Sequence, residues 1–110
     1  MKIERVDAEI QKVLSDLIRN ELRDPRLDNL MISIMRVETT RDLKYCKVFV
    51  SFMGEGNAED GLQALKASAG YLKKLLFAKL KIRAVPDLLF HKDDSVEYGF
   101  KIEKILKDLN

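Results

Sequence analysis

The chain has 110 residues, 46% hydrophobic and 35% charged, which is enough apolar material for one core beneath an ionised surface and excludes a disordered tail. A domain of this size leaves little room for a deep cavity beside its core, so an enzyme built around a buried cofactor is disfavoured. Twenty Lys and Arg oppose eighteen Asp and Glu, and the resulting net charge of +2 is by itself a weak argument for a nucleic-acid partner. Cys46 is the only cysteine, so neither an internal disulfide nor a thiolate metal cluster forms, which fits a reducing, cytoplasmic setting. Charges within the first ten residues, and no apolar run near the roughly 18 residues of a membrane span, predict neither signal peptide nor anchor.

Ile3, Val6, Ile10, Val13, Leu14, Leu17 and Leu22 recur at helical spacing and predict an amphipathic first helix. It must end by about Arg23, because Pro25 disfavours helical geometry at Asp24. Residues 30–39 and 44–52 are rich in β-branched and aromatic side chains and predict a hairpin. Its turn, Thr40-Arg41-Asp42-Leu43, carries Arg41 at the tip, with Lys44 just after. Met31 and Met35 read as core filler.

Gly54-Glu55-Gly56-Asn57 ends the second strand, and Asn57 is placed to cap a helix with Glu59 and Asp60 in its first turn. Leu62, Leu65, Tyr71, Leu72, Leu75, Leu76 and Leu80 continue at helical spacing, but the glycine in Ser68-Ala69-Gly70 predicts a kink or a break into two helices. Val85 to Phe90, entered through Pro86, predicts a third strand, the proline fitting a strand start or an edge. Asp94-Ser95-Val96-Glu97 has the form of a capped start, and Phe100, Ile102, Ile105, Leu106 and Leu109 predict a closing helix. No repeat or linker interrupts residues 1–110, so the expectation is a single α+β domain, α-β-β-α-(kink)-α-β-α, with a three-stranded sheet and helices packed on one face.

Catalytic constellations are sparse. His91 is the only histidine, with Asp93 and Asp94 nearby but Lys92 among them, and a transition-metal site usually needs more than one His. Cys46 shares a strand face with Val48, Val50 and Phe52 and reads as a small buried hydrophobe. Gly54-Glu55-Gly56 lacks the Gly-Lys-Ser/Thr of a phosphate loop, and its acidic neighbours would repel phosphate. No residue is assigned to catalysis, no metal or cofactor is expected, and no small-molecule substrate is implied.

The electrostatic anomaly lies elsewhere: from Lys66 to Arg83 there are six basic residues and no acidic one. The acidic residues cluster apart from it, at Glu55, Glu59 and Asp60 and again at Asp87, Asp93, Asp94 and Glu97, so the molecule should be dipolar in charge. Binding a phosphate backbone needs only positive charge spread along a surface, and Lys73, Lys74 and Lys81 fall near one stripe if the helix persists. The bland alternative is a solvated face whose lysine stems cover its apolar flank. Tyr45, Lys47 and Phe49 share a strand face and would suit base stacking, or serve simply as good strand formers.

Several blocks in order carry a resemblance that covers most of the chain. Arg5-Val6 through Ile10, Leu14-Ser15, Ile18 and Leu22 into Asp24-Pro25-Arg26-Leu27 is one block. The strands Ile32 to Val37, then Asp42-Leu43 and Val48-Phe49-Val50-Ser51, are a second, and Val85-Pro86-Asp87-Leu88-Leu89-Phe90 with Asp94, Ser95 and Gly99 closes the series. Together they resemble the ribosome-binding factor A family of bacterial small-subunit assembly proteins. The resemblance implies a type II KH-like fold in which an Ala-x-Gly kink replaces the usual Gly-x-x-Gly loop; here the kink maps to Ser68, Ala69 and Gly70, with serine in the alanine position. It also implies a monomeric partner of the free or immature 30S small ribosomal subunit and its 16S rRNA, assisting rRNA processing and adaptation to cold. Carried onto this chain, the RNA-binding residues would be Arg41, Lys44, Lys66, Lys73, Lys74, Lys79, Lys81 and Arg83. The rival expectation is a non-catalytic protein-interaction module whose acidic patches or apolar sheet face dock a partner.

Overall fold

The computed structural model describes residues 3–80, 82 and 84–93. Helix α1 (Ile3–Glu21) buries Val6, Ile10, Leu14, Leu17 and Ile18 and turns Glu4, Glu9, Lys12, Asp16 and Arg19 to solvent. It stops short of Pro25 as the sequence requires. The Asp24 carboxylate then accepts the Arg26 backbone N–H at 2.9 Å and caps a single 3-10 turn, Pro25–Leu27. The Arg26 guanidinium closes on the same carboxylate at 2.8 Å, and this bond holds Asp24 below the usual carboxylate range.

Strands β1 (Leu30–Thr39) and β2 (Tyr45–Gly54) form the expected antiparallel hairpin, and β3 (Asp87–Lys92) pairs parallel to β2, giving the order β1-β2-β3. Strand β2 runs on to Gly54, beyond residue 52, and there φ reaches +113°, where a Cβ would strike the Asn29 carbonyl. Strand β3 begins at Asp87 rather than Val85, because Pro86 has no N–H to donate; the first bond of the new strand runs from Asp87 N to Lys44 O at 2.9 Å.

A bulge between Ile34 and Arg36 shifts the register of β1 and switches its parity, so Ile32 and Ile34 face inward and then Val37 does. The Gln11 side-chain amide donates to the Ile34 carbonyl at 3.1 Å beside the bulge, and Asp7 accepts from the Thr39 hydroxyl and backbone N–H, so α1 is fastened along β1. Met31 and Met35 are not core filler: they are 68% and 40% exposed, on the side of the sheet away from the helices.

Because β2 and β3 are parallel, the chain between them must cross one face of the sheet, and it does so as α2 (Ala58–Ala67) and α3 (Ala69–Lys79). Asn57 Oδ1 accepts the Asp60 N–H at 3.0 Å, the expected cap. The break falls at Ser68, at φ −92° and ψ 0°, whose N–H is shared between the Ala64 and Leu65 carbonyls at 3.1 Å each. Gly70 itself is helical, within the first turn of α3. Tyr71 leaves the apolar stripe expected of it and is 50% exposed.

The core joins Ile10 and Leu14 of α1, Leu65 of α2, Leu72 and Leu76 of α3 and Phe90 of β3 over Cys46, Val48 and Val50 of β2, all nearly or fully buried. The helices therefore lie on one sheet face, as expected. The closing helix expected over Asp94–Leu109 falls outside the described residues.

Replacing Leu14 by Ala should lower stability by about 3 kcal/mol, seen as a lower urea midpoint with an unchanged slope. Burial pushes the Cys46 thiol up to about 11. Native protein should therefore resist thiol labelling at pH 8 and react only as denaturant opens the core, whereas fast native labelling would contradict this packing. Since the folded thiol holds its proton more tightly than the unfolded one, its stabilising effect is complete below pH 9 and is lost as pH rises toward 11.

Candidate nucleic-acid interface

Two of the eight sequence-predicted cations stand on the hairpin turn. Asp42 Oδ1 accepts the Thr40 hydroxyl at 2.6 Å and the Lys44 N–H at 3.0 Å, and the first of these bonds is the main reason its carboxyl sits below the ordinary range. Leu43 N–H returns to Thr40 O at 2.9 Å with Leu43 at φ +61°. The turn is thus closed by its own polar atoms, and Arg41 and Lys44 project from it exposed.

The helices supply four more. Lys66 is exposed in the last turn of α2, and Lys74 and Lys79 are exposed on α3. Lys73 differs, because its Nζ lies 2.6 Å from Asp87 Oδ1. The basic run therefore has an acidic partner, and the expected separation of charge is broken at Asp87. That residue also donates its N–H to the carbonyl of Lys44, so one aspartate gathers the hairpin tip and the middle of α3 to the start of β3. Helix α3 ends at Lys79, with Leu80 extended at φ −93° and ψ +126°, so the helical stripe expected to reach Lys81 stops short. Lys81 and Arg83 fall outside the described residues.

Three features of α3 escaped the reading of the sequence. Tyr71 and Phe77 are 50% and 57% exposed, and Lys74, also exposed, lies midway between them in the sequence. A Cβ built on Gly70 meets nothing within 4 Å, so the expected kink glycine is not demanded by packing and leaves bare helix open to solvent. The signal was present in the spacing i, i+3, i+6 of Tyr71, Lys74 and Phe77, set opposite the buried Leu72 and Leu76.

The sheet face away from the helices is less available for stacking than the alternation of β2 suggested. Phe49 is flanked by the Arg36 guanidinium, 4.0 Å from its ring centre, and by the His91 ring at 5.4 Å, a row across all three strands. Tyr45 and Lys47 remain exposed beside it. An open groove of about 740 Å³ between the end of α1 and β1 mixes Arg19 and Arg23 with Asp24 and Asp28 and presents no single sign of charge. Among the described residues, no three His, Cys, Asp or Glu side chains gather to hold a metal ion, and no helix is long and apolar enough to cross a membrane.

The arrangement has known counterparts. A family model described as ribosome-binding factor A matches residues 2–106. A ribosome-binding factor A from Clostridium perfringens is 40% identical over 107 residues, covering 96% of this chain and 91% of that protein. One from Acetivibrio thermocellus is 42% identical over 108 residues, covering 97% and 87%. The crystal structure of ribosome-binding factor A from Thermus thermophilus superposes with a TM-score of 0.74 at 25% identity, over 83% of this chain and 94% of that one. A Thermus thermophilus ribosome-binding factor A model fitted into an electron cryo-microscopy map of a 30S complex superposes with a TM-score of 0.65 at 25% identity, over 80% and 91%. With the helix pair crossing from β2 to β3 on a one-sided sheet, this is the KH-like α+β fold, and the chain belongs to the ribosome-binding factor A family.

Proposed function

We propose that residues 1–110 act as one KH-like RNA-binding domain that docks on the free or immature 30S subunit, contacts its 16S rRNA through α3 and the hairpin tip, and assists late maturation, including rRNA processing and growth in the cold. The observation that carries this reading is the exposure of five cations, Arg41 and Lys44 on the hairpin turn and Lys66, Lys74 and Lys79 on the helix pair, in a chain whose relatives are named ribosome-binding factor A. Nothing in the mechanism requires catalysis. A monomer that binds one rRNA arrangement more tightly than another shifts the population toward it, and its bulk keeps the unfinished particle from being used. This is work for a cytoplasmic protein with no cofactor.

The rival is a partner-protein module docking through the outer sheet face, where Met31, Met53 and Leu89 are exposed. The two differ in salt dependence. About six phosphate contacts give a log-log slope of about −4 to −5, whereas an apolar docking face gives a shallow one.

Sedimentation with purified free subunits and with complete ribosomes, across a salt series, tests this directly. Preference for free subunits with the steep slope is expected, and equal binding to every RNA particle would overturn the reading. Lys66→Glu with Lys74→Glu should weaken subunit binding by about tenfold or more without changing the unfolding midpoint, since both positions are exposed. Lys74→Gln should reduce the slope by about 1, while Lys73→Gln should barely alter it, because Asp87 already holds that ammonium. Gly70→Ala should raise stability by up to about 1 kcal/mol through helix propensity, yet lower affinity, because the new methyl group occupies the open approach to α3.

A further inference from the structure

Helix α1 turns a polar, charged face to water, whereas α3 carries apolar bulk on both sides. Its inner side buries Leu72 and Leu76, and its outer side presents Gly70, Tyr71, Lys74, Phe77 and Ala78, all exposed. Successive residues of a helix turn by about 100°, which places Lys74 at the centre of that outer arc with the two rings about 60° to either side. Tyr71 and Phe77 are separated by about 9 Å along the axis. Gly70 lies one turn before Lys74 on the same arc, with nothing near its Cβ position. The outer arc holds no acidic residue, and the chain has none between Asp60 and Asp87.

Each of these groups answers a different part of one ligand. The ammonium groups of Lys66, Lys74 and Lys79 suit a phosphate backbone, which requires no aromatic ring. A ring on a solvent-facing helix finds a matching surface on a nucleobase, but only where the base is unstacked, since a continuous duplex hides the faces of its bases. The bare backbone at Gly70, one turn before Lys74, leaves space for a base or ribose to approach the helix there. We infer that α3 recognises a single-stranded segment of RNA, with Tyr71 and Phe77 each stacking on an unpaired base and Lys74 between them holding the intervening phosphate. The inference rests on the rRNA-binding reading and deepens it: the target on the subunit is an unpaired stretch and not the groove of a helix.

The test titrates the full chain with a short single-stranded oligoribonucleotide and with a hairpin duplex of the same length, followed by anisotropy of the labelled RNA. Wild-type protein should prefer the single strand. Tyr71→Ser and Phe77→Ser should each weaken that binding by about fivefold or more with the salt slope unchanged, because a stacking contact is lost and no phosphate contact is. Tyr71→Phe keeps a ring and should bind as wild type does. The chain has no Trp and three Tyr, so tyrosine emission should fall on binding, and fall less in Tyr71→Phe. If wild type binds the single strand with a steep salt slope and both serine variants bind equally well, the stacking inference fails while the rRNA-binding reading stands. If wild type binds neither RNA nor free subunits, the reading beneath it fails. Self-association that vanishes in the serine variants, with RNA affinity intact, would show the stripe to be a contact between copies and would also overturn the inference. Both positions are solvent-exposed, and urea midpoints of the variants equal to wild type establish that any lost affinity belongs to the interface.

Discussion

The fold is organised around the inner row of β2, where Cys46, Val48 and Val50 are fully buried. Strand β2 is the middle strand, antiparallel to one neighbour and parallel to the other, and the parallel pairing dictates the rest. A hairpin turn cannot make it, so the chain must leave β2, cross the inner row and come back alongside. The crossing is α2 and α3, and α1 fills the remaining width of the same face. Every helix consequently has one side committed to the core over this sheet face and one side left over. The sides left over, together with the turn at Arg41 and the outer face of the sheet, are where the described residues present chemistry to a partner.

These surfaces are not equivalent. The outer side of α1 mixes Glu4, Arg5, Glu9, Lys12, Asp16 and Arg19, so neighbouring fields largely cancel. Among the described residues, the lysines of α3 meet an acidic partner at Lys73, where Asp87 reaches in from β3, and no other ion pair is formed on that helix. A surface of one sign that also exposes two aromatic rings suits a ligand that is both anionic and aromatic. The outer face of the sheet lacks this combination: Arg36 is engaged with Phe49 and paired to Glu38 at 3.3 Å, and His91 closes the row on the other side.

Local chemistry made most of this fold legible in the sequence. Period-3.6 and period-2 spacing located α1, β1, β2 and the helices between β2 and β3; Asp24-Pro25 and Asn57 marked where helices stop and start. What stayed hidden depends on contacts between distant residues. The bulge at Met35 flips the parity of β1, so no single alternation could place both Ile34 and Val37 on the inner face. Tyr71 groups with the leucines by rough spacing, but it lies about 140° round α3 from the buried Leu76, on the arc of Lys74 and Phe77. The basic residues were legible as a set because charge is read by counting; that Lys73 is already engaged depends on β3 arriving beside α3, fourteen residues later in the sequence.

Asp87 shows how a weak interaction can matter to a site without mattering much to stability. An exposed ion pair adds little to folding free energy, and Lys73 with Asp87 is such a pair. Its effect is positional. Asp87 is the first residue of β3, its N–H is fixed on the carbonyl of Lys44, and its Cα lies opposite that of Tyr45. The register of β3 against β2 therefore sets how far the hairpin tip stands from α3, and the bond to Lys73 fixes the helix to that register. A slip of one residue would move Asp87 away from both partners and turn the strand's core residues, Leu88 and Phe90, to the outside, which their burial at 5% and 2% exposure strongly disfavours. The spacing between the two basic elements is thus set by the same apolar contacts that hold the sheet to its helices, and a rigid core fixes the distance that any anionic partner touching both would have to span.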